Sequence, residues 1–213
     1  MGGSIPLLIK ILQYWKSSRR ITKMKKVFLD CGANDGCSVR KFKNKISNWK
    51  EYEIFSFEAN EIFYKDIEQT GATLIKKAVW IADEEVDFFV VSVDKYGRQG
   101  SRTGASTLNK EKSQWNLQTH KEVQTKKVQA LDLSVWILQN FSKKDEIILK
   151  MDIEGSEYDV LEKMVDDGSM SFINELWIEF HPKKANIDKN RHDRLNKYID
   201  TLNIKVDRQW NAM

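Results

Sequence analysis

Apolar residues recur along this chain with two alternating periods. Ile5, Leu8, Ile9, Leu12 and Trp15 lie three or four apart, which predicts an amphipathic helix over residues 5–15. Lys10, Lys16, Arg19 and Arg20 fall on or beyond its other face. From residue 26 onward short apolar, β-branched or aromatic runs predict strands at 26–30, 53–57, 72–80, 86–93, 122–131, 146–151, 175–180 and 204–210. Between them helical spacing predicts helices around Val39, Phe42 and Ile46, then over 61–69, 133–141, 156–165 and 188–202. Gly71 marks a helix end, and Ser156 with Asp159 reads as a capping box. Residues 94–119 are polar and without period, which predicts a long loop of the kind that is either functional or disordered.

Strands alternating with helices predict an α/β fold with a doubly wound, mainly parallel sheet. The expected organisation is a leader with an amphipathic N-terminal helix over residues 1–22 and one domain over 23–213. Gly2, Gly3 and Ser4 resemble a linker, so the chain is expected to be a domain cut from a longer one. Such sheets bind ligands beyond the carboxyl ends of their strands. Four carboxylates stand at predicted strand ends: Asp30, Glu58, Asp152 and Glu179.

Composition narrows the classes. A chain of 213 residues with 41% apolar content can bury a core, and 31% charged residues netting only +4 fit neither disorder nor a concentrated basic face for nucleic acid. Cys31 and Cys37 are too few for a disulfide framework or a four-cysteine zinc site. They predict free thiols in a reducing, cytoplasmic setting. No apolar run is long enough to span a bilayer. Lys10 and the lack of a small-residue cleavage site argue against a signal peptide, and Pro6 argues against myristoylation.

The chemistry concentrates in four segments. Asp30-Cys31-Gly32-Ala33-Asn34-Asp35-Gly36 leaves a strand and enters a helix, with glycines that let the backbone turn and a ligand approach. Alone it is as well explained by a structural turn. Glu58 follows about 20 residues after that turn, where a carboxylate can accept from two ribose hydroxyls. Asp152, Glu154 and Glu157 crowd the exit of a buried strand. Glu157 is explained by the helix dipole, whereas Asp152, after an apolar run, is not. Glu179 and His181 alternate onto one face at a strand end. His181 is open to a structural or a functional reading.

Taken together, DCGANDG, FEAN, KKAVW, LKMDIEGSEYDVL and LWIEFH, in this order, resemble the FkbM family of methyltransferases over roughly residues 27–181. The resemblance implies a Rossmann-like class I methyltransferase fold, S-adenosylmethionine as cofactor, and O-methyltransfer, often to sugars or polyketide hydroxyls. It implies that Asp30, Gly32, Ala33, Asn34 and Gly36 surround the methionine part. Glu58 and Ala59 would lie by the ribose, Ala78 and Val79 by the adenine, and Asp152 and Ser106, within Gly104-Ala105-Ser106-Thr107, near the cofactor. Ala59, where the family often has proline, and a tail after Leu202 that is short for the family's closing antiparallel strand depart from the pattern.

For catalysis the expectation is His181 as general base, with Asp152 and Glu154 beside it. A divalent ion, Mg²⁺ or Mn²⁺, held by Asp152, Glu179 and His181 is the second version. The acceptor is expected to be a small molecule or glycan, met in part by residues 94–119 with Arg98, Arg102, Trp115 and His120. Competing readings are a nicotinamide oxidoreductase, weakened by the absent G-x-G-x-x-G, a nucleic-acid 2′-O-methyltransferase, and a non-catalytic cofactor-binding scaffold.

Overall fold

The computed structural model describes residues 23–93, 105–119 and 122–210. The expected leader helix, Arg98, Arg102, Gly104, His120 and the side chain of Trp115 lie outside what is described. In chain order the elements are β1 (Lys26–Cys31), α1 (Cys37–Lys45), β2 (Tyr52–Phe57), α2 (Tyr64–Gln69), β3 (Thr73–Ile75), β4 (Ala78–Trp80) and β5 (Glu85–Val93). They continue with α3 (Lys110–Thr119), β6 (Glu122–Asp132), α4 (Leu133–Asn140), β7 (Glu146–Met151), α5 (Glu157–Asp166), β8 (Glu175–Ile178), α6 (Lys189–Thr201) and β9 (Lys205–Asp207).

Six strands form the central sheet in the order β3-β2-β1-β7-β8-β9, every neighbouring pair parallel. The order reverses direction at β1, and β1, β2 and β7 end side by side there. This is the Rossmann-like arrangement, with its crevice at the switch point. The sheet is covered on both faces, as parallel sheets require. Val27, Leu29, Ile147, Leu149, Leu176 and Ile178 point to one face, against Ile137 of α4, Tyr158 and Leu161 of α5, and Leu195 and Ile199 of α6. Phe28, Ile54, Ile148 and Trp177 point to the other, where they meet Val39 and Phe42 of α1. Phe28 and Phe42 stack there with ring centroids 4.1 Å apart.

Three expectations change in the structure. Residues 72–80 are not one strand. Lys76 and Lys77 break them into β3, which pairs with β2, and β4, which pairs with β6 in a second, three-stranded sheet ordered β4-β6-β5. Residues 94–119 are not all loop, since α3 occupies their end; its sequence KEKSQWNLQT has no apolar stripe to betray it. The capping box at Ser156 does not form: Ser156 is already in the helical region and makes no side-chain cap. Glu157 serves that helix start instead, accepting from Gly155 N at 2.9 Å and Ile153 N at 3.0 Å. The last strand expected at 204–210 forms as β9, parallel to β8. Asp132 and Asp188 cap α4 and α6 through Val135 N and Arg191 N, as Asp favours.

Candidate functional site

One cavity of about 360 Å³ opens at the carboxyl ends of the strands. The β1 tip contributes Gly32 and Asn34, and the β2 tip Phe57, Glu58 and Ala59. Ala78 and Val79 of β4, Phe88 of β5 and residues 105–108 close one side. Asp152, Ile153, Glu154 and Ser156 after β7, with Glu179, His181 and Lys184 after β8, close the other. The structure therefore brings together most residues expected from sequence: Gly32, Asn34, Glu58, Ala59, Ala78, Val79, Ser106, Asp152, Glu154, Glu179 and His181 all face one space.

Three expected residues do not line it. Ala33 is 1% exposed and packs with Phe63 and Ile67. Gly36 sits beyond the turn as the left-handed residue before α1, against Thr70. Asp30 is completely buried, because strand alternation turns it toward Lys150 and Ser56.

The turn after β1 needs its sequence. Gly32 (φ 74), Asn34 (φ 48) and Gly36 (φ 78) all adopt left-handed backbone, tolerated by Gly and Asn. At Gly32 even a methyl is impossible: a Cβ would sit 2.0 Å from the Asp152 carbonyl oxygen. The turn is tied to β2 through Gly32 N and Ala33 N, both 3.1 Å from Phe57 O. Glu58 accepts from Asn34 N at 2.8 Å and Asn60 N at 2.7 Å, one bond per oxygen. Burial pushes its carboxyl above the ordinary range, and these two N–H groups offset only part of that rise. A second lone pair on each oxygen remains for a ligand.

Three cavity-lining residues hold buried polar atoms without a protein partner: Asn34 Oδ1, Ser106 Oγ and Ser156 Oγ. Buried polar atoms seek partners. With the glycine cradle and Glu58, they suit a ligand with an amino-acid end and a ribose, as a sulfonium nucleoside has.

The other end of the cavity is acidic. His181 Nε2 stands 3.6 Å from Glu154 Oε2, 3.6 Å from Glu179 Oε1 and 3.8 Å from Asp152 Oδ1. Its Nδ1 is 3.0 Å from Glu157 Oε1. Burial pulls the imidazole pKa down, but the bond to Glu157 and the charges of Glu154, Glu157 and Asp152 outweigh it and push it up to about 9. That favours the protonated ring at neutral pH. Burial, joined by the Asp152 and Glu154 charges, raises the Glu179 carboxyl.

Glu154 adopts left-handed backbone (φ 57) and points to Lys112 of α3, with which it forms an ion pair. Thr107 Oγ1 donates to Glu154 O at 2.7 Å. These contacts fasten residues 105–119 over the loop after β7. Gly155 follows with φ 108, and a Cβ there would press on Ala185 at 2.7 Å. For a metal, donor atoms of Asp152, Glu157 and His181 come within 4.8 Å of one another. Glu157, however, is committed to backbone N–H groups and to His181. Of the expected trio, Asp152 and Glu179 each approach His181 Nε2, at 3.8 Å and 3.6 Å, but Glu179 does not join the set whose donor atoms all lie within 4.8 Å of one another.

Sequence reasoning missed Lys112, Lys150 and the grip of Glu157 on His181. For Lys150 a signal existed: a cation inside the buried run EIILKM must find a partner. For Lys112 there was none, because its partner lies 42 residues away.

The family model described as the methyltransferase FkbM domain matches residues 30–206. No curated protein and no solved structure matches the chain.

Proposed function

The chain belongs to the FkbM methyltransferase family, and on that premise we propose that it transfers a methyl group from S-adenosylmethionine to a hydroxyl of a sugar or glycan. The carrying observation is the convergence of Gly32, Glu58, Asp152, Glu179 and His181 on one cavity at the sheet's switch point.

When bound, the cofactor supplies an electrophilic methyl on sulfur. The chain's residues divide the rest. Gly32 lines the space for the methionine portion, and Asp152, which faces the cavity, receives its ammonium. Glu58 accepts from the ribose hydroxyls, and Ala78 and Val79 flank the base. At the acidic end, carboxylate oxygens accept hydrogen bonds from acceptor hydroxyls, a lining that suits a sugar. Transfer would join the acceptor oxygen to the methyl carbon as the carbon–sulfur bond broke, and a carboxylate of the chain would take the hydroxyl proton. Glu179 is our choice: its side chain is 38% exposed, against 14% for Asp152 and 16% for Glu154. His181, as imidazolium, separates and neutralises these anions. Alignment supplies a large part of such a rate, up to about 7–11 kcal/mol.

Labelled-methyl transfer over a panel of sugars, phenols and RNA tests this. Label in sugar hydroxyls supports it, and label only in RNA or amines overturns it. A second reading keeps a divalent ion on Asp152, Glu179 and His181, favoured by the convergence of hard oxygens on one imidazole. It requires Nε2 to lose its proton, and full activity after exhaustive EDTA treatment contradicts it. Free Cys31 and Cys37 fit a reducing compartment such as the cytoplasm. No helix among the described residues is long and apolar enough to cross a membrane.

A further inference from the structure

We propose that Asp30 serves the cofactor site only through Lys150: the two side chains form an interior clamp that holds the Gly32 turn against Asp152, and neither touches the cofactor. The inference rests on the cofactor reading above.

Register places the clamp. Asp30 of β1 pairs with Ser56 of β2 on one side and Lys150 of β7 on the other. All three are fully buried. They continue, toward the strand tips, the sheet face that Phe28, Ile54 and Ile148 turn to α1. The cavity lies beyond the tips, and neither Asp30 nor Lys150 lines it, whereas Gly32 and Asp152 do.

The Lys150 ammonium is met from both walls. It donates to Gly32 O at 2.7 Å and Cys31 O at 3.1 Å, and lies 3.3 Å from Asp30 Oδ1 and 4.0 Å from Asp152 Oδ2. Two of its three N–H groups thus draw two turn carbonyls inward, and the charge pairs with Asp30. The amides of the same turn are left to bond Phe57 O and Glu58. Burial works against the ammonium, but the Asp30 and Asp152 charges outweigh it and raise its pKa, so it stays charged. An unpaired cation in this interior is costly, and Asp30 is its nearest anion. Ser56 Oγ, at 3.4 Å from Asp30 Oδ2, helps hold that carboxylate. A carboxylate so engaged, with no face on the cavity, acts on a ligand by placing the turn.

The test compares D30N, K150M and the double variant D30N/K150M with the parent chain by two readouts. One is amide hydrogen exchange at residues 31–34 and 152 in ligand-free protein. The other is calorimetric affinity for S-adenosylhomocysteine. We expect D30N to speed ligand-free exchange at the turn at least tenfold and to weaken affinity at least tenfold. The double variant should bind no worse than the weaker single. Weakened affinity with unchanged ligand-free exchange means that Asp30 meets the cofactor directly, which overturns the proposal. So does unchanged affinity in D30N, or losses that multiply in the double variant. If the K150M variants fail to fold, D30N decides alone through the two readouts. If the parent chain binds no S-adenosylhomocysteine, the cofactor reading fails, and unchanged exchange in D30N still overturns the clamp.

Discussion

His181 Nδ1 lies 3.0 Å from Glu157 Oε1, and because a carboxylate only accepts, the ring donates there. That bond fixes the ring so that Nε2 faces Asp152, Glu154 and Glu179. Glu157 is itself fully buried and held by two backbone amides. Replacing it by Gln sets an amide N–H₂ against one of those donors and frees the ring. E157Q should lower kcat roughly 10²-fold with the cofactor KM little changed. Steady-state kinetics check this; a change confined to the cofactor KM contradicts it.

The same cluster makes stability depend on pH. The His181 pKa rises from an ordinary 6.5 unfolded to about 9 folded. A raised folded value means that the folded state holds the proton more tightly. The contribution is therefore complete below pH 6.5 and fades as pH rises through 9. It amounts to at most about 3 kcal/mol. Urea unfolding from pH 6 to 10 should show the parent chain losing stability relative to H181Q across that window. Parallel curves contradict the assignment.

At Gly32 the backbone is left-handed and a Cβ would collide with Asp152 O. G32A should cost more than about 2 kcal/mol and remove cofactor binding together with stability. Thermal unfolding and calorimetry check both; an alanine that binds normally contradicts the close approach of the two loops.

Lys112 is 1% exposed and paired with Glu154. K112M leaves that carboxylate without its lysine and should cost about 2–4 kcal/mol. The double variant K112M/E154Q, which removes both charges, should recover part of it. Urea denaturation measures the difference; equal losses in the two variants contradict the pairing.

Much of the fold could be read from the chain, for definite reasons. β1, β7 and β8 are short, mainly apolar runs; Glu58, Asp152 and Glu179 follow where strands stop, and Asp30 is the last residue but one of β1. Local pattern could not tell which way a side chain at such a position turns. Asp30 follows strand alternation into the interior, whereas Asp152, one residue past β7, faces the cavity. Contacts between distant segments were likewise hidden: Glu157 looked like an ordinary first-turn acid until His181 came to it from 24 residues on. β3 and β4 read as one strand because spacing says nothing about which sheet each joins. α3 was invisible because its fixed points are contacts, such as Lys112 with Glu154, rather than an apolar stripe.

The proposed function requires Glu58, held by Asn34 N and Asn60 N, to grip the ribose of a sulfonium nucleoside. Titration calorimetry of S-adenosylhomocysteine into the parent chain and E58A is the most direct measurement. The account predicts one site per chain, weakened about tenfold to a hundredfold in E58A, the worth of one or two charge-assisted hydrogen bonds. Equal affinity in the two proteins, or no binding to the parent chain, would contradict it.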